Sequence, residues 1–428
     1  IYQAMLAYVF DELKTDTDFH KKMYKYMIRD NILSGQEVCL LLYDQGIITG
    51  TMAERATLEN GTISPYNFMI SKISNLEITP AQLALDPCSG SVVVTDVNTG
   101  EVLALVSYPG YDNNRMSNSE YYARLNSDLS RPLWDYATQQ TSAPGSTFKM
   151  VTATAALEEG VVSPGETVIC RGIYDTITPY PPKCWIYPSS VHGSLNITGG
   201  IEHSCNYFFY EMGYRLGKST GTYNSDEGLE KLAYYADLYG LTEKSGVEIV
   251  EEEPQVSDTD SVRSAIGQGT NNYTTVGLAR YITTVANSGT CYNLSLLDKV
   301  TDSEGNLIED FTPTVRNTLS ISDSTWNAIH AGMRKVIEDK TYYRGMGVNV
   351  AGKTGTAQEN RNRPNHALFV SYAPYENPEI SVTTRIAFGY AADFAAQLTK
   401  DVYKYYYKLE DEEVLIDGTA AQDNTITS

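Results

Sequence analysis

Basic residues are scarce in this chain, and histidine is scarcer still. The 32 Lys and Arg stand against 53 Asp and Glu, for a formal net charge of −21, and no basic run occurs anywhere. Nucleic acid is excluded as the main partner, because neutralising phosphates requires clustered Lys and Arg. Only five histidines are present, His20, His192, His203, His330 and His366, so chemistry built on several imidazole ligands is not expected. The six cysteines, Cys39, Cys88, Cys170, Cys184, Cys205 and Cys291, are too few for a disulfide-dense scaffold. Long apolar runs are also missing. The longest, such as residues 38–43, fall far short of the roughly 18–20 residues needed to span a bilayer. The chain starts at Ile1 and carries no charged-apolar-small signal pattern, so it reads as a soluble, excised piece with any anchor or export signal upstream.

What remains is a globular composition. At 42% hydrophobic residues the chain can bury a sizeable core and is not disordered as a whole. Its 428 residues suggest two or three domains, or one large domain with insertions. Residues 1–85 read as helical, with a break at Ser64-Pro65, and form a separate N-terminal piece. From Ser91 the period changes: residues 91–97 and 101–107 flank Asn98-Thr99-Gly100 as a β-hairpin. Residues 108–135 read as a long surface loop and residues 161–196 as irregular. Helices are expected at 146–159, 207–216, 274–286 and 324–337. Three strands follow at 348–358, 366–373 and 380–388, then a closing helix at 391–408 and an acidic tail at 409–428. Two early strands and three late ones, with helices between, imply an α+β fold: a five-stranded antiparallel sheet completed by distant segments, flanked by helices and a mainly helical subdomain.

Three short motifs stand out in order. Ser146-Thr147-Phe148-Lys149 puts a hydroxyl and an amine on one helix face, at a helix start where free N–H groups favour developing negative charge. Taken alone it is more simply an N-cap serine with a surface lysine, since composition yields roughly one or two S-x-x-K matches in a chain this size. Ser204-Cys205-Asn206 offers a hydroxyl that can relay a proton and an amide that can hold a carbonyl, though Ser and Asn are ordinary cap residues. Lys353-Thr354-Gly355-Thr356 lies on an expected edge strand, where Gly355 permits close approach of a ligand backbone and Lys353, Thr354 and Thr356 suit a substrate carboxylate. The three together leave little room for coincidence.

On these residues the chain resembles the serine penicillin-recognising enzymes, whose S-x-x-K, S-x-N and K-T-G set they match. More narrowly it resembles the transpeptidase domain of class B, elongation-type penicillin-binding proteins, over roughly residues 85–408. Ile266-Gly267-Gln268-Gly269 and Ala286-Asn287-Ser288-Gly289 add to the match. The resemblance implies that residues 86–408 are a peptidoglycan D,D-transpeptidase domain. Ser146 would attack the carbonyl between two terminal D-Ala residues of a stem peptide, Lys149 would take its proton, and Ser204, Asn206 and Lys353 would complete the catalytic set. Backbone N–H groups of Ser146 and Thr356 would form the oxyanion hole. It also implies β-lactams as inhibitors acylating Ser146, a membrane glycosyltransferase as partner, and the outer face of the cell membrane as location. No cofactor is implied for catalysis. A D,D-carboxypeptidase or slow β-lactamase, and a β-lactam sensor without turnover, are the alternatives. The absence of an E-x-x-L-N pattern and the long stretch between Ser204 and Lys353 favour the transpeptidase.

Cys205 departs from the family pattern at the middle of the second motif. Cys170, Cys184, His192 and Cys205 form a series that suits a Cys₃His structural zinc site. Some elongation-type members are similar, with a metal held by acidic, His and Cys residues at comparable places. A Cys170–Cys184 disulfide beside a buried Cys205, and free thiols throughout, are the competing readings. The tyrosine excess invites a sugar-stacking role, but Tyr403, Tyr405, Tyr406 and Tyr407 read as helix packing.

Overall fold

The structure is a computed structural model describing residues 2–48, 50–75, 77–78, 86, 89–128, 130–218, 221–359, 363–411 and 414–415. Cys88 and most of the 409–428 tail lie outside the described residues. The described residues fall into two compact units, 2–78 and 86–415.

The first unit is helical throughout, with helices at Tyr2–Leu13, Thr17–Arg29, Gly35–Asp44, Met52–Glu59 and Pro65–Ser74. Its boundaries follow from local capping chemistry. Ser34 with Glu37 and Thr51 with Glu54 form capping boxes, and Ser64 caps the helix that Pro65 opens. The Ser64-Pro65 break is therefore a helix start. Cys39, Ile48, Leu58, Phe68 and Ile78 form a small core of its own.

The second unit is built on strands β1 (Gly90–Asp96), β2 (Val102–Tyr108), β3 (Ala351–Ala357), β4 (His366–Ala373) and β5 (Ile380–Ile386). They pair antiparallel in the order β2-β1-β5-β4-β3. Distant segments thus complete one sheet, as the sequence pattern implied. The β1–β2 turn is fixed by Asp96, whose Oδ1 accepts from the N–H groups of Asn98 and Thr99 at 2.8 and 2.9 Å. Strand β4 is buried along its whole length because helices cover both faces of the sheet. Leu368, Val370 and Tyr372 enter the larger core, while Ala367 and Phe369 enter a second one with Ala395, Ala396 and Tyr403. That alternation is the period of a strand.

Helix α1 (Lys149–Glu158) runs through the middle of the larger core, with residues 149–156 all buried. Around it lie α2 (Asn206–Leu216), α3 (Thr275–Ala286) and α4 (Asp323–Glu338), and α5 (Ala392–Tyr406) covers the other side of the sheet. Helix α3 is buried at every position and ties to the sheet through hydroxyls: Thr95 Oγ1 lies 2.6 Å from Thr283 Oγ1 and 2.7 Å from Ser381 Oγ. Buried hydroxyls that satisfy one another explain polar residues on a fully buried helix.

Three expectations are corrected. Residues 108–135 are not one loop: Asn118 accepts from the Tyr121 N–H at 3.0 Å and caps a helix at Ser119–Ser127 that buries Tyr121 and Leu125. Ser146 does not lie on an α-helix. It occupies a 3₁₀ turn, Gly145–Phe148, and the α-helix begins at Lys149. Residues 161–196, read as irregular, contain the two-stranded ladder Val168–Cys170 with Gly193–Leu195, which sets Cys170 opposite Gly193. Helices Ile197–Glu202 and Ser225–Leu238 add to the count. No helix among the described residues is long and apolar enough to cross a membrane.

Candidate active site

Backbone approach, rather than side chains, seats the Ser146 turn. Gly145 has φ +53° and Gly267 has φ +74°, and the Gly145 N–H donates to the Gly267 carbonyl at 3.1 Å. A Cβ on Gly267 would stand 2.0 Å from the Gly145 oxygen, and one on Gly145 would stand 2.5 Å from the Thr356 oxygen. Three chain segments therefore pass at backbone contact, which only glycine permits. Upstream, Ser142 and Tyr273 exchange backbone hydrogen bonds at 2.9 and 3.1 Å. Gly267→Ala is accordingly expected to lower stability by about 1–3 kcal/mol and to shift the Ser146 turn. Thermal unfolding beside the acylation rate checks this, and an unchanged rate with unchanged stability would refute it.

The second motif is shaped by its position between two helices. Ser204 follows the helix Ile197–Glu202 in a left-handed conformation, φ +50°, rare for a residue with a side chain. Cys205 then acts as N-cap of α2, its sulfur accepting from the Phe208 N–H at 3.4 Å, and Asn206 opens the helix. This sharp reversal turns the Ser204 hydroxyl and the Asn206 amide toward α1.

The amines of both motif lysines meet there. Lys149 Nζ donates to Ser204 O at 2.8 Å, Ser204 Oγ at 3.1 Å and Asn206 Oδ1 at 2.7 Å. Lys353 Nζ reaches the same Ser204 Oγ at 2.9 Å. Both lysines are fully buried. Burial pushes the Lys149 amine down to about 7, with the nearby Cys205 and Cys184 pulling it partly back. Burial also drives Lys353 well below the ordinary lysine range, helped by repulsion from Lys149 and Lys340. Two ammonium groups on one hydroxyl in a dry site are mutually unfavourable, so the pair favours a neutral amine.

Ser146 stands beside this cluster but is not bonded to it. The three hydrogen-bond contacts of Lys149 Nζ go to Ser204 and Asn206, and among the described residues no hydrogen bond reaches the Ser146 hydroxyl. Ser146, Ser204, Asn206, Thr354 and Thr356 line one cleft of about 670 Å³. The edge position of β3 leaves one side of that strand open to a ligand. Gly355 faces inward, where a Cβ would meet Thr147 Cγ2 at 2.7 Å and the Pro144 oxygen at 2.9 Å. Its glycine serves the packing of β3 on the Ser146 turn rather than ligand approach, a correction to the sequence reading. Trp185, Gln358, Asn365, Tyr390 and Asp393 also line the cleft. Gln358 directly follows β3, whereas Trp185, Asn365, Tyr390 and Asp393 come from segments distant from the three motifs in the chain and meet them only in the fold.

Next to the second motif, the donor atoms of Cys170, Cys184, His192 and Cys205 all lie within 4.8 Å of one another. Cys184 Sγ is 3.4 Å from His192 Nδ1 and 3.9 Å from Cys205 Sγ, and Cys170 Sγ is 3.8 Å from His192 Nδ1. All four are brought together as the sequence spacing suggested, and Cys170 and Cys184 are separate thiols. The Cys205–Cys184 hydrogen bond holds the Cys184 thiol below its ordinary value and Cys205 above it.

Comparison with known proteins agrees with this geometry. The family described as penicillin binding protein transpeptidase domain matches residues 90–404. The chain is 29% identical over 374 residues to the peptidoglycan D,D-transpeptidase MrdA of Haemophilus influenzae, covering 75% of this chain and 53% of that protein. It thus spans about half the length of the curated relatives it matches. Pseudomonas aeruginosa PBP2, solved in complex with WCK 5153, superposes with a TM-score of 0.65 at 25% identity, covering 83% of this chain and 77% of that one. Penicillin-binding protein A of M. tuberculosis, solved as an acyl-enzyme complex, has a TM-score of 0.66 at 23% identity over 74% of each chain and shares the fold. With well over half of its length matched, this chain belongs to the penicillin-binding protein transpeptidase family.

Proposed function

We propose that this chain carries the acyl-transfer activity of an elongation-type peptidoglycan D,D-transpeptidase in residues 86–408. In this reading residues 1–85 are a helical remnant of a non-catalytic pedestal region and 409–428 are an acidic tail. The observation that carries it is the Ser204 hydroxyl, held at once by the buried amines of Lys149 and Lys353 in the cleft that Ser146 lines. The donor is a stem peptide ending in D-Ala-D-Ala, its carboxylate held by Lys353, Thr354 and Thr356. Ser146 Oγ attacks the carbonyl between the two D-Ala residues, and Lys149 in its neutral form takes the serine proton once substrate entry draws the two together. Backbone N–H groups of Ser146 and Thr356 stabilise the oxyanion. Ser204 passes the proton to the leaving amine, so the amide C–N bond breaks, D-Ala departs and an ester remains on Ser146. An acceptor amine attacks that ester, forms the cross-link and restores the serine. β-Lactams present the same carbonyl beside a carboxylate and acylate Ser146 in the same way.

The cysteine cluster suits a structural zinc. Tetrahedral coordination with Zn–S near 2.3 Å and Zn–N near 2.0–2.1 Å requires S···S of about 3.8 Å and S···N of about 3.6 Å. The Cys184–Cys205, Cys184–His192 and Cys170–His192 distances are close to these edges, and all four donor atoms lie within 4.8 Å of one another. Bound there, the metal supplies a cross-link that steadies the turn holding Ser204 and Asn206, and no chemical step. The substrate sets the location at the outer face of the cell membrane, beside the glycosyltransferase that makes the strands.

Products from a D-Ala-D-Ala peptide test this reading. With an acceptor amine present, mass spectrometry should find released D-Ala and an amide joining donor and acceptor. Hydrolysed donor alone would make the protein a carboxypeptidase, and a lasting penicillin adduct without D-Ala release would make it a sensor.

A further inference from the structure

His366 is buried at the start of β4, where an imidazole is costly unless both of its nitrogens are satisfied. Both are. The Phe388 N–H can only donate, so Nδ1 accepts it at 3.1 Å and carries no hydrogen. The ring hydrogen is therefore on Nε2, which donates to Glu359 Oε2 at 2.6 Å, and the imidazole is neutral. The charged groups that face it are Glu359 from the end of β3, Arg363 from the connection to β4, and Arg385 from β5. Burial holds the ring below the ordinary histidine range and the two arginines add to that, while Glu359 acts the other way.

The two hydrogen bonds join parts of the chain that wall one cleft. Glu359 follows Gln358 just beyond β3, and Phe388 precedes Tyr390 in the loop before α5; Gln358 and Tyr390 line the cleft together with Thr354 and Thr356. The loop needs its anchors. Phe388 and Tyr390 have φ +53° and +65°, a left-handed conformation that is costly for residues with side chains. Besides His366, the loop is held by the Tyr390 N–H, which donates to the Asn365 carbonyl at 3.1 Å, and by the Phe388 ring, with the Arg363 guanidinium 3.3 Å from its centroid. We propose that His366 is a positioning residue for donor binding: as a neutral ring it ties the end of β3 to the loop before α5, and its protonation releases that loop and weakens the grip of the cleft on the donor. A second proton has only Nδ1 to occupy, where it faces the Phe388 N–H, so that bond is lost outright. This rests on the acyl-transfer reading for the placement of the donor carboxylate on β3.

The test uses equilibrium binding of benzylpenicillin in the Ser146→Ala protein, so it does not depend on turnover. Above neutral pH, adding His366→Phe, which keeps a ring but no hydrogen bond, should weaken binding by about 3–10-fold, the worth of one hydrogen bond. His366→Asn, whose Oδ1 still accepts from the Phe388 N–H, should restore most of it. As pH falls through the titration of His366, the protein with histidine should lose affinity relative to His366→Asn by the same factor. That ratio cancels the change in Lys149 charge common to both proteins. In the protein with His366 intact, imidazole ¹⁵N shifts should show the Nε2–H tautomer, and the Phe388 amide signal should move in the same titration. Binding unchanged by His366→Phe, no rescue by His366→Asn, or a ratio indifferent to pH overturns the proposal. Should either variant fail to fold, an Nδ1–H tautomer or a Phe388 amide indifferent to the titration overturns it alone. Failure of the acyl-transfer reading shows separately, as absent D-Ala release by the unmodified protein with the His366 dependence of binding intact.

Discussion

Ser146→Ala is expected to gain no mass on incubation with benzylpenicillin, whereas the unmodified protein gains one persistent adduct. The argument is chemical: the Ser146 hydroxyl lines the cleft in which the buried amines of Lys149 and Lys353 meet at Ser204, and removing it removes the nucleophile that the reading assigns to the ester. Lys149→Ala should leave the nucleophile but slow acylation by about 10²–10⁴-fold, the usual worth of a positioned general base. The pH dependence separates the two roles. With the Lys149 amine held down to about 7, it is mostly ammonium and unable to accept a proton below that value. The acylation rate should therefore rise about tenfold per unit of pH up to about 7 and level off above it. Lys149→Ala should flatten that rise. An adduct retained by Ser146→Ala, or a rate indifferent to pH in the unmodified protein, would sink the assignment.

The contrast between Ser146 and its surroundings shows what a sequence can and cannot carry. The sheet strands were legible because β4 is a nearly continuous apolar run and β1 and β5 are rich in β-branched residues between turn residues, and the three motifs because their chemistry is compressed into three or four consecutive positions. The helix at Ser119–Ser127 was missed because its segment is polar, and its signal rested on an Asn118 cap with only two buried residues, Tyr121 and Leu125. The 3₁₀ geometry at Ser146 was not legible, since it arises from Gly145 and Gly267 passing at contact and those residues are far apart in the chain. Gly355 looked like a ligand-approach residue because an edge strand and a glycine are visible locally, while the Ser146 turn packed behind it is not. Trp185 belongs to the same class. Nothing about a tryptophan after Cys184 marks it as a cleft wall until the pairing of Val168–Cys170 with Gly193–Leu195 folds that loop back.

The same folding-back carries the second large effect. Purified protein is expected to contain close to one equivalent of zinc, and Cys184→Ser to lose it. Cys170 ends the strand Val168–Cys170, Cys184 and His192 come from the segment that follows it, and Cys205 lies in the turn between Ser204 and Asn206, so a shared ion would close that segment onto the catalytic turn. A cross-link over a segment of this length removes unfolded-state entropy worth about 4 kcal/mol in the loop-closure description. For a unit of this size that corresponds to a melting temperature lower by roughly 6 °C in Cys184→Ser or after exhaustive chelation. Acylation should fall as well, because Ser204 and Asn206 flank the ligand Cys205 and both depend on the turn it anchors. Elemental analysis, thiol titration and thermal unfolding decide the matter together. Less than half an equivalent of zinc, with Cys170 and Cys184 unreactive to thiol reagents until reduced, would replace the metal with a disulfide. In that case chelation would leave the melting temperature unchanged and reduction would lower it.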